Sequence, residues 1–228
     1  MRHQMRVTRR RLTRIVGACV LLAGGFGASV LLTAGPAGAA ACGPATVAGT
    51  PCTLTGTLDL TAGGLTLTSP TALGWTGTLN GLDQQLVDVT PADQSYLVND
   101  ATGSGAGWHV TVSATTFTSG ANTLPDVGTV STNGSITAIA AATAPTAACS
   151  ASAACTLPTN TTTYPVAITT DPSAPAASTI YDTSAATGLG SITIGIGANP
   201  VGWWLAIPSA TKAGTYTSTF TLEIISGP

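Results

Sequence analysis

The sequence predicts an all-β, antiparallel β-sandwich of the two-layer, immunoglobulin-like kind. Apolar residues recur at every second position through most of the chain beyond residue 41. Gly- and Asn-containing pairs separate these alternating runs. Thr, with 42 copies, fills the positions between the apolar ones. A β-branched polar side chain suits the solvated face of a pleat, so the three observations agree.

The elements follow in order. Arg2, Arg6, Arg9, Arg10, Arg11 and Arg14 make a basic start, and an uncharged stretch rich in Val, Leu, Ala and Gly runs from Ile15 to Ala41. It closes on Gly35-Pro36-Ala37-Gly38-Ala39-Ala40-Ala41. This is the layout of a secretory signal peptide over residues 1–41, with cleavage after Ala39 or Ala41. No second apolar segment of spanning length follows, so no membrane span is expected after cleavage. Residues 42–228 are then expected to fold as a single domain.

Within that domain Leu54, Leu58 and Leu60 alternate with Thr and Asp, and Leu65 and Leu67 alternate with Thr. Trp108, Val110, Val112 and Ala114 share one face of a predicted strand, with His109, Thr111 and Ser113 opposite. Ile192, Ile194 and Ile196 repeat the pattern, as do Val201, Trp203, Leu205 and Ile207. The last predicted strand carries Tyr216, Ser218, Phe220, Leu222 and Ile224 on one face. Ala62-Gly63-Gly64, Asn80-Gly81, Asn133-Gly134 and Ala213-Gly214 read as turns. Residues 141–165, made largely of Ala, Thr, Ser, Pro and Asn, read as a long surface excursion. Asn133-Gly134-Ser135 and Asn160-Thr161-Thr162 have the form of glycosylation sequons and read as loop residues.

Composition narrows the function. Charged residues make up 7% of the chain, against roughly 25% in an ordinary soluble domain. Beyond residue 41 one base, Lys212, faces nine acids, a net charge of −8. One Lys cannot neutralise a phosphate backbone, which excludes a nucleic-acid partner. Neither a phosphate loop nor a dinucleotide fingerprint occurs, so no cofactor is expected.

Cys42, Cys52, Cys149 and Cys155 remain after the signal. An even number in an exported chain reads as disulfides. Pairing Cys42 with Cys52 and Cys149 with Cys155 closes two short loops, the second stapling the 141–165 excursion. Neither pair is spaced as a zinc site, and no metal is expected. A Ser-His-Asp centre would need His109, which lies on the strand face opposite Trp108, and no nucleophile elbow is present. Asp83, Asp88, Asp93 and Asp100 lie in segments where Asp stabilises turns. The chain therefore reads as non-enzymatic.

Trp203 and Trp204 are adjacent on one predicted strand and must point to opposite faces. One is core. The other is solvent-facing or covered by a loop or a partner. An exposed Trp would suit a sugar ring or a protein.

The chain end reads Tyr216-Thr217-Ser218-Thr219-Phe220-Thr221-Leu222-Glu223-Ile224-Ile225-Ser226-Gly227-Pro228. It resembles the terminal pattern Y-x-x-x-x-T-W-x-L-x-x-x-P of the WxL cell-surface domains of Gram-positive bacteria. Tyr216, Thr221 and Pro228 match in register, while Leu222 stands where that family has Trp and Ile224 where it has Leu. Trp108-His109-Val110, after the Gly-rich approach from Asp100 to Gly107, is similar to the family's first motif. Trp203-Trp204-Leu205 is a literal W-x-L string one strand early. The Ala, Gly and Thr content suits a high-GC actinobacterial member. The resemblance implies an exported surface protein held non-covalently on the cell wall through peptidoglycan, with a membrane-anchored WxL-interacting protein as partner. It makes Trp108, Val110, Trp203, Trp204, Leu205 and Tyr216 the candidate ligand-binding residues. The other reading is a structural subunit of a surface layer or appendage that associates through sandwich edges.

Overall fold

A computed structural model describes residues 55–150, 154–173 and 175–228, with the backbone of 40–41 and 52–53. The expected signal peptide, apart from the backbone of Ala40–Ala41, and the expected Cys42–Cys52 bridge lie outside the described residues. Residues 1–58 and 59–228 form two compact units. In the first, β1 (Ala40–Ala41) pairs in parallel with β2 (Cys52–Thr53).

The second unit is built from strands, without an α-helix among the described residues. They are β3 (Leu65–Thr68), β4 (Gln84–Val87), β5 (Tyr96–Asp100), β6 (Trp108–Ala114), β7 (Thr118–Ser119), β8 (Asn122–Thr123), β9 (Val130–Asn133) and β10 (Ala147–Cys149). There follow β11 (Val166–Ile168), β12 (Ser178–Thr183), β13 (Gly190–Ile194), β14 (Gly202–Ile207) and β15 (Phe220–Ser226). They make three main antiparallel sheets, ordered β10-β13-β5-β3, β11-β9-β14-β4 and β12-β6-β15. The fold is an all-β sandwich, as the alternation predicts. One hydrophobic core takes Val98 from β5, Val110 from β6, Val130 from β9, Tyr181 from β12, Ile192 from β13 and Trp203 from β14.

The period-two reading is visible on β6. Trp108, Val110, Val112 and Ala114 are all fully buried, while His109 and Ser113 on the other face are half-buried; Thr111 on that face is also buried. Opposite them, Leu222 pairs with Val112 and Ile224 with Val110.

Several expectations need correction. Residues 55–64 form no strand, and Leu58 and Leu60 are 79% and 83% exposed. Their alternation is real but has no pairing edge in the described structure. The strand carrying Ile192 ends at Ile194, because Gly195 turns at φ 86°. Ile196 is left exposed. The last strand begins at Phe220 rather than Tyr216, and Thr217 instead bridges Thr118. Within 141–165 the chain is not wholly a surface excursion. Ala147–Cys149 is the edge strand beside β13, and Thr156 bridges Leu189. The Cys149–Cys155 disulfide is present.

Candidate functional site

The predicted ligand-binding residues divide between core and groove. Trp108 is fully buried; its Nε1–H donates to the Gly188 carbonyl at 2.8 Å and its ring stacks on Tyr181 at 6.1 Å between centroids. Val110 is fully buried beside it. Neither presents a surface to a ligand, which corrects their place among the candidates. The glycines around Trp108 explain the Gly-rich approach. Gly107 sits at φ 80° and Gly188 at φ 75°, and a Cβ on Gly188 would come within 2.7 Å of the Trp108 Nε1. Only Gly supplies both the left-handed backbone and the clearance. Asp100 starts this loop by accepting from the Thr102 amide and hydroxyl.

Trp203 and Trp204 point to opposite faces, as adjacent strand residues must, yet both are buried. Trp203 enters the core and donates its Nε1–H to the Asp93 carbonyl at 3.0 Å. Trp204 is covered by the chain's own loop: its Nε1–H reaches Asn133 Oδ1 at 3.2 Å and the Ser135 carbonyl at 2.9 Å. Asn133 holds that loop by donating from Nδ2 to the carbonyls of Ala138 and Ile139. Neither Trp is therefore the exposed plate that the sequence allowed for one of them.

A groove of ≈ 1180 Å³ lies open between segment 69–79 and segment 211–219. Its floor is apolar, from Leu86, Phe117, Leu124, Trp203, Leu205 and Leu222. Four of these six are buried core residues. The groove lies at two sheet margins: β4 is the outer strand of one sheet and β15 of another. Trp75 spans it. Its Nε1–H donates to the Trp203 carbonyl at 3.0 Å, and its ring meets Phe117 edge-on at 5.8 Å and Phe220 at 6.0 Å. Asp88, almost wholly buried, holds the segment down by accepting from the Gly74 and Thr90 amides at 2.8 Å. On the opposite rim Tyr216 is half-buried and donates to the Lys212 carbonyl. Lys212 itself is exposed.

The titratable groups are largely committed to structure. His109 Nδ1 lies 2.7 Å from the Gly227 carbonyl, which can only accept, so Nδ1 carries the proton. Asp126 accepts from the hydroxyls of Thr116 and Thr170, and Asp182 from the Thr161 and Thr162 amides. Burial pushes the Asp93 carboxyl above its ordinary value, and the neighbouring Asp88 carboxylate adds to the rise. Burial likewise raises Tyr96 and Tyr164, and pushes Tyr181 up to about 12. The Tyr96 hydroxyl is buried with no hydrogen-bond partner among the described residues. No cluster of metal-ligating side chains occurs among the described residues.

Sequence reasoning picked Trp203, Leu205 and Tyr216, which meet at the groove, and missed Trp75, Phe117 and Lys212. Trp75 stands in a Gly-flanked, aperiodic stretch, Gly74-Trp75-Thr76-Gly77, that gives no strand signal. Lys212 was legible as the chain's only lysine. No protein-family profile, characterised protein or solved structure matches this chain.

Proposed function

We propose that this chain is a non-enzymatic exported surface protein, held non-covalently at the cell wall, that works by docking through the groove between residues 69–79 and 211–219. The groove is the observation that carries the reading. An open apolar floor with aromatic and hydroxyl-bearing rims is a binding surface, and it needs no reactive group. His109, Asp88, Asp126 and Asp182 support the absence of catalysis, since each is tied to a neighbouring backbone or hydroxyl group. The WxL-like residues Trp203, Leu205, Tyr216 and Leu222 all line this one groove. Peptidoglycan, or a membrane-anchored partner presented at the wall, is the proposed target.

The test is sedimentation of the exported chain, residues 42–228, with isolated cell walls. The wild type is expected to pellet, and Trp75→Ala and Tyr216→Ala variants that fold normally are expected to bind at least ~10-fold more weakly. Binding should resist moderate salt, because a chain at −8 gains nothing from anionic wall polymers. A wild-type chain left in the supernatant rejects direct wall attachment. A second reading, a surface subunit that associates with its own copies, is favoured by the two exposed leucines at positions 58 and 60.

A further inference from the structure

We infer that the groove of one molecule receives the Thr55–Thr61 segment of a second copy, so that the protein assembles head to tail. This rests on the reading of the groove as a docking site and names its occupant.

Three features of the molecule converge on that occupant. The first is the segment itself. Leu58 and Leu60 are the two most exposed large apolar side chains among the described residues, at 79% and 83%. They keep a strand's spacing of two, with Leu54 continuing the sequence pattern, yet residues 55–62 form no strand in the described structure, and only Gly63 and Gly64 bond to the Ala101 backbone. An apolar pair held out in solvent is satisfied by an apolar groove.

The second feature is the receiving surface. The groove lies where β4 and β15 form the outer strands of their sheets; β4 pairs only with β14 and β15 only with β6 among the described strands. An inserted segment meets an apolar floor of Leu86, Phe117, Leu205 and Leu222 for its inward side chains. Seven extended residues reach about 23 Å, a length suited to such a groove.

The third is charge. Asp59 lies between the two leucines, and Lys212, the only base beyond residue 14, stands on the groove rim. With Leu58 and Leu60 turned into the floor, Asp59 faces outward toward that rim. A head-to-tail contact of this kind leaves each copy with one free segment and one free groove. It propagates rather than closing as a two-fold pair.

The experiment is analytical ultracentrifugation of the exported chain, residues 42–228, over a concentration series. The wild type is expected to form concentration-dependent oligomers. Leu58→Asp/Leu60→Asp, with an unchanged circular dichroism spectrum, is expected to be monomeric, its association weakened at least ~100-fold. Lys212→Glu should weaken association and Asp59→Lys should restore it in that background. Both leucines are exposed, so their replacement leaves the fold intact. Location is read by cross-linking: a Leu60→Cys chain mixed with a Thr215→Cys chain should give a disulfide-linked heterodimer. A wild-type chain that is monomeric at every concentration overturns the inference, as do oligomers indifferent to the leucine pair. A doubly substituted chain that cross-links only within one molecule overturns it too, by making the occupant the chain's own segment. If groove variants lose wall binding while the Leu58→Asp/Leu60→Asp chain keeps it and wild type stays monomeric, the inference fails and the docking function stands.

Discussion

Two aromatic clusters sit in one sandwich and are finished in different ways. Around Trp108, Tyr181 stacks and Tyr96 meets it edge-on, and all three rings are buried. Around Trp75, Phe117 and Phe220 make comparable ring contacts, yet Trp75 and Phe220 are only half-buried and face a groove. Residue type does not separate the two. The difference is in the chain that lies over them. The turn between β12 and β13 approaches Trp108 closely enough for the Gly188 carbonyl to accept from its indole. The 69–79 segment is anchored over its cluster at Gly74 and Trp75 but leaves the space beside it unfilled. An aromatic becomes sealed core or groove lining according to how closely backbone can approach it.

The largest test of this contrast is truncation of each central ring. Trp108→Ala should cost about 3–5 kcal/mol of unfolding free energy, because it empties a sealed site. Trp75→Ala should cost roughly 1–2 kcal/mol, since water already reaches that ring. Urea denaturation of the two variants measures both, and equal losses would break the distinction.

A middle-sized effect probes the covering backbone. Gly188→Ala forces a left-handed residue with a side chain against Trp108 and Thr183, and should cost roughly 1–3 kcal/mol. Gly77→Ala meets only the flexible end of Leu86, and should change stability by less than about 1 kcal/mol. Thermal melts of the pair show whether close backbone approach matters at one cluster and not the other.

The smallest effect concerns the carboxyl pair below the groove segment. Asp93 has a raised value in the fold, so the native state holds its proton more tightly than the unfolded chain does. Ionisation at Asp93 therefore costs stability as pH rises from the unfolded carboxylate range through the raised folded value. Asp93→Asn should raise the melting temperature at neutral pH and lose that advantage in acid below the ordinary carboxylate range. The Asp93 backbone bonds to Thr90 and Trp203 are unaffected by the change. A gain independent of pH would assign it to something other than the charge.

Much of the fold was legible because alternation names a buried face directly. The β6 pattern from Trp108 to Ala114, and Phe220, Leu222 and Ile224 on β15, lie as their spacing requires. Alternation does not say which strands pair. β5 lies beside β13 and β9 beside β14, partners far apart in sequence. For the same reason the Leu58 and Leu60 alternation marks a strand-like face without revealing that residues 55–64 form no strand in the described structure. The cover over Trp204 was hidden because it depends on Asn133 folding a distant loop back by side-chain hydrogen bonds. The groove was hidden because one wall, 69–79, is an aperiodic connection, and the other, 211–219, alternates only from Tyr216 onward and makes a single bridge at Thr217 rather than a strand. Trp203, Leu205 and Tyr216 could be chosen as strand residues, while the space they share depends on where the 69–79 segment lies.

The single exposed amine on the groove rim has a practical consequence. Lys212 is the only lysine in the whole chain, so an amine-directed fluorophore has one side-chain target besides the N-terminus. With the terminal amine blocked, a dye at Lys212 becomes an optical reporter on the groove, installed without mutagenesis. Its anisotropy and spectral shift would follow whatever enters there in real time.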